Sequence, residues 1–348
     1  MENAAGDWFL LDQEMDKALK SSGYDFQFRV INGGHVAGYY DQYREAMAYL
    51  WKGWPEPVRA GPGAPRVRDL TLPDEPWQRL VDSKPGVRAA AGNARGDVCF
   101  VDEAANKILR IGLDGHLAEF AADAGHANGL SFGPKSELYA VSAETGRVTS
   151  YDEAGRSTPV VDGLKGHQIL AMPDGDLFLT AEGEASGAPG EVWHVKQGRK
   201  TRVDTGLKFP TGLAYRPDRW LLSVADGSSK WAYSYQIRPD GNLANKERFT
   251  WLHVPDDEDD AGAGAACYAR EGQLLIATRS GVQACADDGP TQAILPLPDR
   301  ARVRALAFGG PDLTTLYAFG EAGIWRRKLK IHGVGAFTPW TAVRASPL

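Results

Sequence analysis

Residues 137–142 read ELYAVS, and runs of the same make recur along the chain: DVCFVD at 97–102, DLFLTA at 176–181, WLLSVAD at 220–226, QLLIATR at 273–279 and TLYAFG at 315–320. After a polar turn each is followed by a second apolar run: KILRI, RVTSYD, EVWHV, WAYSYQI, GVQAC and GIWRRKL. Taking Val98, Leu138, Leu177, Leu222, Leu274 and Leu316 as anchors, the successive intervals are 40, 39, 45, 52 and 42 residues. The segments are short, β-branched or aromatic, and bounded by glycine turns. That composition predicts strands rather than the paired helices of a solenoid. Several strands per repeat at a period near forty predict an all-β, six-bladed β-propeller. The strand that closes the ring is open between WQRLV (77–81) and the C-terminal KIHGVGAFTPWTAV (330–343).

The two long intervals come from insertions, RPDGNLANKERF (238–249) and the acidic, glycine-rich HVPDDEDDAGAGA (253–265). The run DDEDD lacks the ligand ladder and central glycine of an EF-hand, so a solvated loop is expected, with calcium as the alternative.

Bulk properties narrow the function classes. Of 348 residues 43% are hydrophobic, enough for a sizeable core, and the net charge of −6 argues against a general affinity for nucleic acid or anionic membranes. No run reaches the ~18 apolar residues of a membrane span, and the N-terminus has no charged-then-apolar leader. The chain as written is therefore expected in the cytoplasm, its native localisation staying open. Cys99, Cys267 and Cys285 form no C-x-x-C pair and no zinc spacing, and inert buried thiols are expected.

Residues 1–55 differ from the rest. WFLLDQEMDKALKSSGY and YYDQYREAMAYLWKGW have helical spacing, and FQFRVI between them alternates like a strand. This appendage is too small to bury a core of its own and is expected to dock elsewhere. Residues 56–76, rich in proline and glycine at their start, read as a linker, and 77–348 as the propeller.

Two resemblances carry the reading further. Gly33, Gly34 and His35, with the later LWKGWP, resemble the C-terminal end of esterase D-like α/β-hydrolases, in which such a histidine is the triad base. The chain contains no G-x-S-x-G, so His35 has no nucleophile to serve. The resemblance implies a remnant of an esterase domain lost upstream.

The second is broader. YSYQIRPDGNLANKERF, WLHVPD and QLLIATRSGVQAC resemble the gluconolactonase/regucalcin (senescence marker protein) family of six-bladed propellers. The resemblance implies a hydrolase acting on a lactone or ester, with a divalent cation such as calcium on the propeller axis. In that family the cation is held by a glutamate, two asparagines and an aspartate that doubles as base. Counting back from each blade's first turn places Arg88, Asn128, His167, Thr211, Gly264 and Arg304 at the corresponding positions, with Arg88, His167, Thr211 and Gly264 in place of the four ligands. No metal ligand is inherited.

Two arginines and a histidine around one axis call for an anion, since guanidinium is a rigid donor fork for carboxylate or phosphate. We expect Arg88, Asn128, Thr211 and Arg304 to bind a substrate or anion, without a cofactor, and His167 or Asp226 to activate water. Two alternatives stay open: that these side chains pair with Asp226, Glu182 or Asp260 and plug the channel, or that a register slip brings His126, Gln168 or Asp260 inward around a metal. The partner is a small molecule in every case. A non-catalytic propeller binding a sugar or an anion is the competing function. His253 and the alternating Trp231, Tyr233 and Tyr235 are minor candidates, better suited to packing.

Overall fold

The computed structural model describes residues 15–20, 24–27, 39–56, 67–81, 86–182, 187–216, 221–321 and 323–338. The chain divides into two compact units, Met1–Pro65 and Arg66–Leu348. In the first, residues 15–20 are helical and a second helix runs Tyr39–Leu50. Tyr49 donates from its hydroxyl to Asp25 at 2.9 Å. His35 and most of FQFRVI lie outside the described residues. No described helix is long and apolar enough to cross a membrane.

The second unit is a six-bladed propeller. Its strands are β1 (Gln78–Val81), β2 (Val87–Gly92), β3 (Val98–Asp102), β4 (Lys107–Ile111), β5 (Leu117–Ala121), β6 (Gly129–Phe132), β7 (Leu138–Val141), β8 (Arg147–Tyr151), β9 (Ser157–Asp162), β10 (Gly166–Ala171), β11 (Leu177–Ala181) and β12 (Gly190–Lys196). They continue as β13 (Arg199–Leu207), β14 (Pro210–Arg216), β15 (Leu221–Asp226), β16 (Trp231–Ile237), β17 (Leu243–Trp251), β18 (Ala266–Tyr268), β19 (Leu274–Thr278), β20 (Gly281–Cys285), β21 (Thr291–Leu295), β22 (Val303–Gly309), β23 (Thr315–Gly320) and β24 (Ile324–Lys328). Five blades are consecutive antiparallel meanders, β2–β5 to β18–β21, and the sixth is ordered β1-β24-β23-β22. All six anchors fall on the second strand of a blade.

The ring closes through the N-terminal candidate. β1 pairs with β24, setting Gln78 opposite Arg326 and Val81 opposite Ile324. The C-terminal segment does something else. His332 accepts from Arg270 N through its carbonyl, Gly333 donates to Leu313, and Val334 donates to Tyr268. Val334, Ala336 and Phe337 each join the core of a different pair of blades. The segment thus crosses the axis and closes the apolar inner end of the channel, where only about 100 Å³ stays open.

The core follows from alternation on sheets buried on both faces. Each seam between neighbouring blades holds its own apolar cluster. At the closing seam Phe100 of blade one meets Phe319 of blade six, centroids 5.3 Å apart, both almost completely buried. Leu70, on the short helix Val67–Leu70, packs into the seam between blades five and six. Near the axis the inner strands converge so closely that a Cβ on Gly92 would overlap the carbonyl of Phe308, so only glycine fits there. Cys99 and Cys285 are fully buried, and desolvation pushes these thiols and that of Cys267 up to about 12.

The insertions pack as structure. Residues 238–249 make the β16–β17 hairpin, where Trp231 lies against Trp251 and Lys246 sits over Tyr233 and Tyr235. Within the acidic loop Asp260 and Glu258 pair with Arg279.

Candidate functional site

At the end of the axis opposite the C-terminal plug lies an open cavity of about 720 Å³. Arg88, Asn128, His167, Thr211, Gly264 and Arg304 all line it, together with Gln168, Arg302, Phe209, Glu103 and Glu321. The backbone explains why these side chains arrive there. Register shifts interrupt the first-to-second strand ladder between Val87 and Ala90, Gly166 and Gln168, Pro210 and Gly212, and Val303 and Ala305. Each shift brackets one predicted residue: Arg88, His167, Thr211 or Arg304. A bulge re-aims the side chain it carries, and these four turn toward the mouth.

The charged residues are paired within their own blades. Arg88 donates to Glu103, and Arg304 donates to Glu321 at 2.7 Å. The hydrogen bond to Glu103 keeps the Arg88 guanidinium above its ordinary pKa, and the same bond holds the Glu103 carboxyl below its own. His167 Nε2 lies 3.1 Å from Glu182 Oε1. The partners Glu103, Glu182 and Glu321 stand at one repeat position, five residues after the anchors Val98, Leu177 and Leu316. The expected plugging acids therefore include one correct partner, Glu182, while Asp226 and Asp260 are engaged elsewhere.

Asn128 and Thr211 are wall residues. Asn128 Oδ1 accepts from Ala143 N at 2.8 Å, and Thr211 Oγ1 donates to the carbonyl of Ala263 at 2.8 Å. His167 stands between the axial cavity and a second one of about 780 Å³ lined by Thr145, Lys165, Glu182, Trp193 and Lys208. Its ring meets Phe209 edge-on at 5.1 Å.

Asp226 does not line the cavity. It is 1% exposed, and its carboxylate accepts from the backbone N–H groups of Lys208, Phe209 and Ser228. A carboxylate so enclosed cannot reach a water in the mouth, so its expected role as base gives way to a positional one: it pins the loop that holds Phe209 against His167. His126 is exposed beside Glu144, and His253 is an exposed residue whose backbone is held by Gln283. Neither lines the cavity, whereas Gln168 does.

The donor set does not fit a hard cation. Such an ion needs six or more oxygen ligands with negative charge among them, and of the six ring positions only Asn128 and Thr211 carry a side-chain oxygen, neither of them charged. Two of the ring positions are guanidinium groups, and Gly264 cannot be converted into a carboxylate donor: a Cβ there would lie 2.5 Å from the carbonyl oxygen of Arg304.

Comparison with known proteins places the molecule. The family model described as the SMP-30/gluconolactonase/LRE-like region matches residues 92–319. The chain belongs to this family. Among its relatives is the pentonolactonase XacC of Haloferax volcanii, 27% identical over 187 residues that cover 51% of this chain and 60% of that one. The diisopropyl-fluorophosphatase of Loligo vulgaris is 29% identical over 119 residues, 30% of this chain and 37% of that one. The chain thus spans less than two thirds of either curated relative. A solved gluconolactonase from Xanthomonas campestris superposes with a TM-score of 0.64 at 20% identity, covering 74% of this chain and 91% of that one, which shows the shared propeller fold.

Arg302 was not anticipated from the sequence. It lies two residues before Arg304 on the approach to β22, where a one-residue-per-blade count does not look. Glu103 and Glu321 were missed as well, although their common offset from the anchors was readable.

Proposed function

We propose that this member of the lactonase-like family hydrolyses a lactone or ester in the axial cavity without a metal ion, with His167 as general base. One observation carries the reading: His167, on the wall of the cavity that also presents Arg88 and Arg304, stands 3.1 Å from the carboxylate of Glu182, which lines the neighbouring cavity. With Nε2 donating to Glu182, Nδ1 is left with the lone pair that accepts a proton from water. The attacking water adds to the acyl carbon, and its proton passes to His167. The tetrahedral oxyanion forms beside guanidinium groups that are charged at any accessible pH. Collapse breaks the acyl C–O bond, and His167 returns the proton to the departing alkoxide, giving a hydroxy acid. Glu182, Phe209 and Asp226 act on the ring position of His167 rather than on the substrate.

A second reading has its own support. Each charged member of the predicted ring is already paired, as in a propeller that binds a sugar or an anion without turning it over. A pH-stat assay with five- and six-membered aldonolactones separates the two. The hydrolase reading predicts turnover well above the spontaneous rate; a saturable rise in melting temperature with no turnover would support the binding module. The N-terminal unit enters neither scheme. We read it as the end of an esterase-like domain, on the resemblance of Gly33–His35 and LWKGWP alone.

A further inference from the structure

We infer that the side cavity next to the axial one is a site for the alcohol part of the substrate, and that this part is a neutral, hydroxyl-rich ring such as a sugar. Its role as a leaving-group site rests on the hydrolase reading; the existence of the sugar site does not.

The two cavities share a partition, because His167 and Phe209 line both. A substrate held with its acyl carbon beside His167 in the axial cavity therefore has about 780 Å³ beyond that partition for whatever its ester oxygen carries. A simple lactone has nothing to place there, since its alcohol is tied back to its own acyl chain. An open ester does. Water adds to the acyl carbon, and the acyl C–O bond breaks. The alcohol then departs into the side cavity with the proton that His167 took from the water.

The walls of the side cavity indicate what kind of alcohol fits. Trp193, on β12, is half-buried against the core and contributes to the lining. Its Nε1 donates to Glu191 Oε2 at 2.8 Å, and Arg202 donates to the other oxygen of the same buried carboxylate at 2.7 Å. The indole is thus fixed before any ligand arrives, which lowers the entropy cost of binding against it. An aromatic ring of this kind offers an apolar surface to the C–H face of a sugar. Among the described lining residues Lys165 and Lys208 stand against Glu182 and Glu191, two positive charges and two negative. A ligand ion finds no net countercharge on such a wall. Sugar hydroxyls accept from the two ammonium groups and need none.

The test has a binding arm and a kinetic arm. Calorimetric titration with methyl β-glucopyranoside should show saturable binding, and Trp193→Ala should lose about tenfold in affinity. Lys208→Gln, a change on an exposed side chain, should lose about threefold and decides the matter if the tryptophan variant fails to fold. In the kinetic arm, methyl 6-O-acetyl-β-glucopyranoside is compared with 2-methoxyethyl acetate, whose alcohol is similarly acidic. The wild-type chain should favour the sugar ester about tenfold or more in kcat/KM, and Trp193→Ala should remove most of that ratio. No saturable binding of the glucoside, or unchanged affinity in a folded Trp193→Ala or Lys208→Gln, would overturn the site. Binding that depends on Trp193 without turnover of any ester or lactone would instead sink the hydrolase reading and leave the sugar site standing. Turnover of both esters at equal kcat/KM would keep the hydrolase reading and overturn the leaving-group role.

Discussion

Replacing His167 by glutamine should slow lactone hydrolysis by about 10²–10⁴-fold, the range a positioned general base contributes. That corresponds to about 3–5.5 kcal/mol of transition-state stabilisation. Glutamine retains a polar group of similar reach beside Glu182 but has no nitrogen basic enough to take a proton from water. The loss should fall on kcat, with KM moved little, because the ring touches the attacking water rather than the bulk of the substrate. The fold should tolerate the change, since the position lies at the open mouth and not in a seam. The measurement is initial-rate kinetics at several lactone concentrations, paired with circular dichroism. A rate within a factor of about two of wild type would remove His167 from the chemistry, that being far less than a base supplies.

The largest stability effect is expected at the closing seam. Phe319→Ala should cost about 3–5 kcal/mol, as for other fully buried phenylalanines. Phe319 is completely buried and packs at a tilt against Phe100, so its removal leaves a void between the first and last blades. Those blades are the two that the β1–β24 pairing must bring together, and truncation there weakens the ring at its one non-sequential joint. Urea unfolding followed by tryptophan fluorescence reads the effect as a lowered midpoint. Leu117→Ala, on an exposed outer-strand side chain, is the control and should stay within about 0.5 kcal/mol of wild type. A Phe319→Ala loss no larger than that of the control would mean that the seam is not where closure is held.

The blades were legible because each anchor is an apolar residue on a strand buried on both faces, and a propeller repeats that pattern at nearly constant spacing. The inner ring was legible for the same reason, since each blade's first turn fixes how far back its axial residue stands. What the sequence did not disclose was pairing. Arg88 meets Glu103 across fifteen positions and Arg304 meets Glu321 across seventeen, through an antiparallel register with a bulge in it. Asp226 looked like a rim base because it ends a strand, and the loop that encloses it, residues 208–209, belongs to the entry of the same blade. Arg302 escaped because it stands two residues before the axial position of its blade, and only the fold brings it to the cavity wall. The closing strand was undecided because WQRLV and the C-terminal segment are both apolar enough to pair, and only the C-terminal segment also fits the channel floor.

The central claim is that the arginine-lined mouth works without a metal ion, although the resemblance to the family's propellers implies one. Elemental analysis of protein purified without chelator, followed by lactone turnover with and without EDTA, tests it directly. The account predicts no stoichiometric divalent metal and a turnover rate unchanged by EDTA. About one tightly held divalent ion per chain, with turnover abolished by EDTA and restored by the metal, would contradict it.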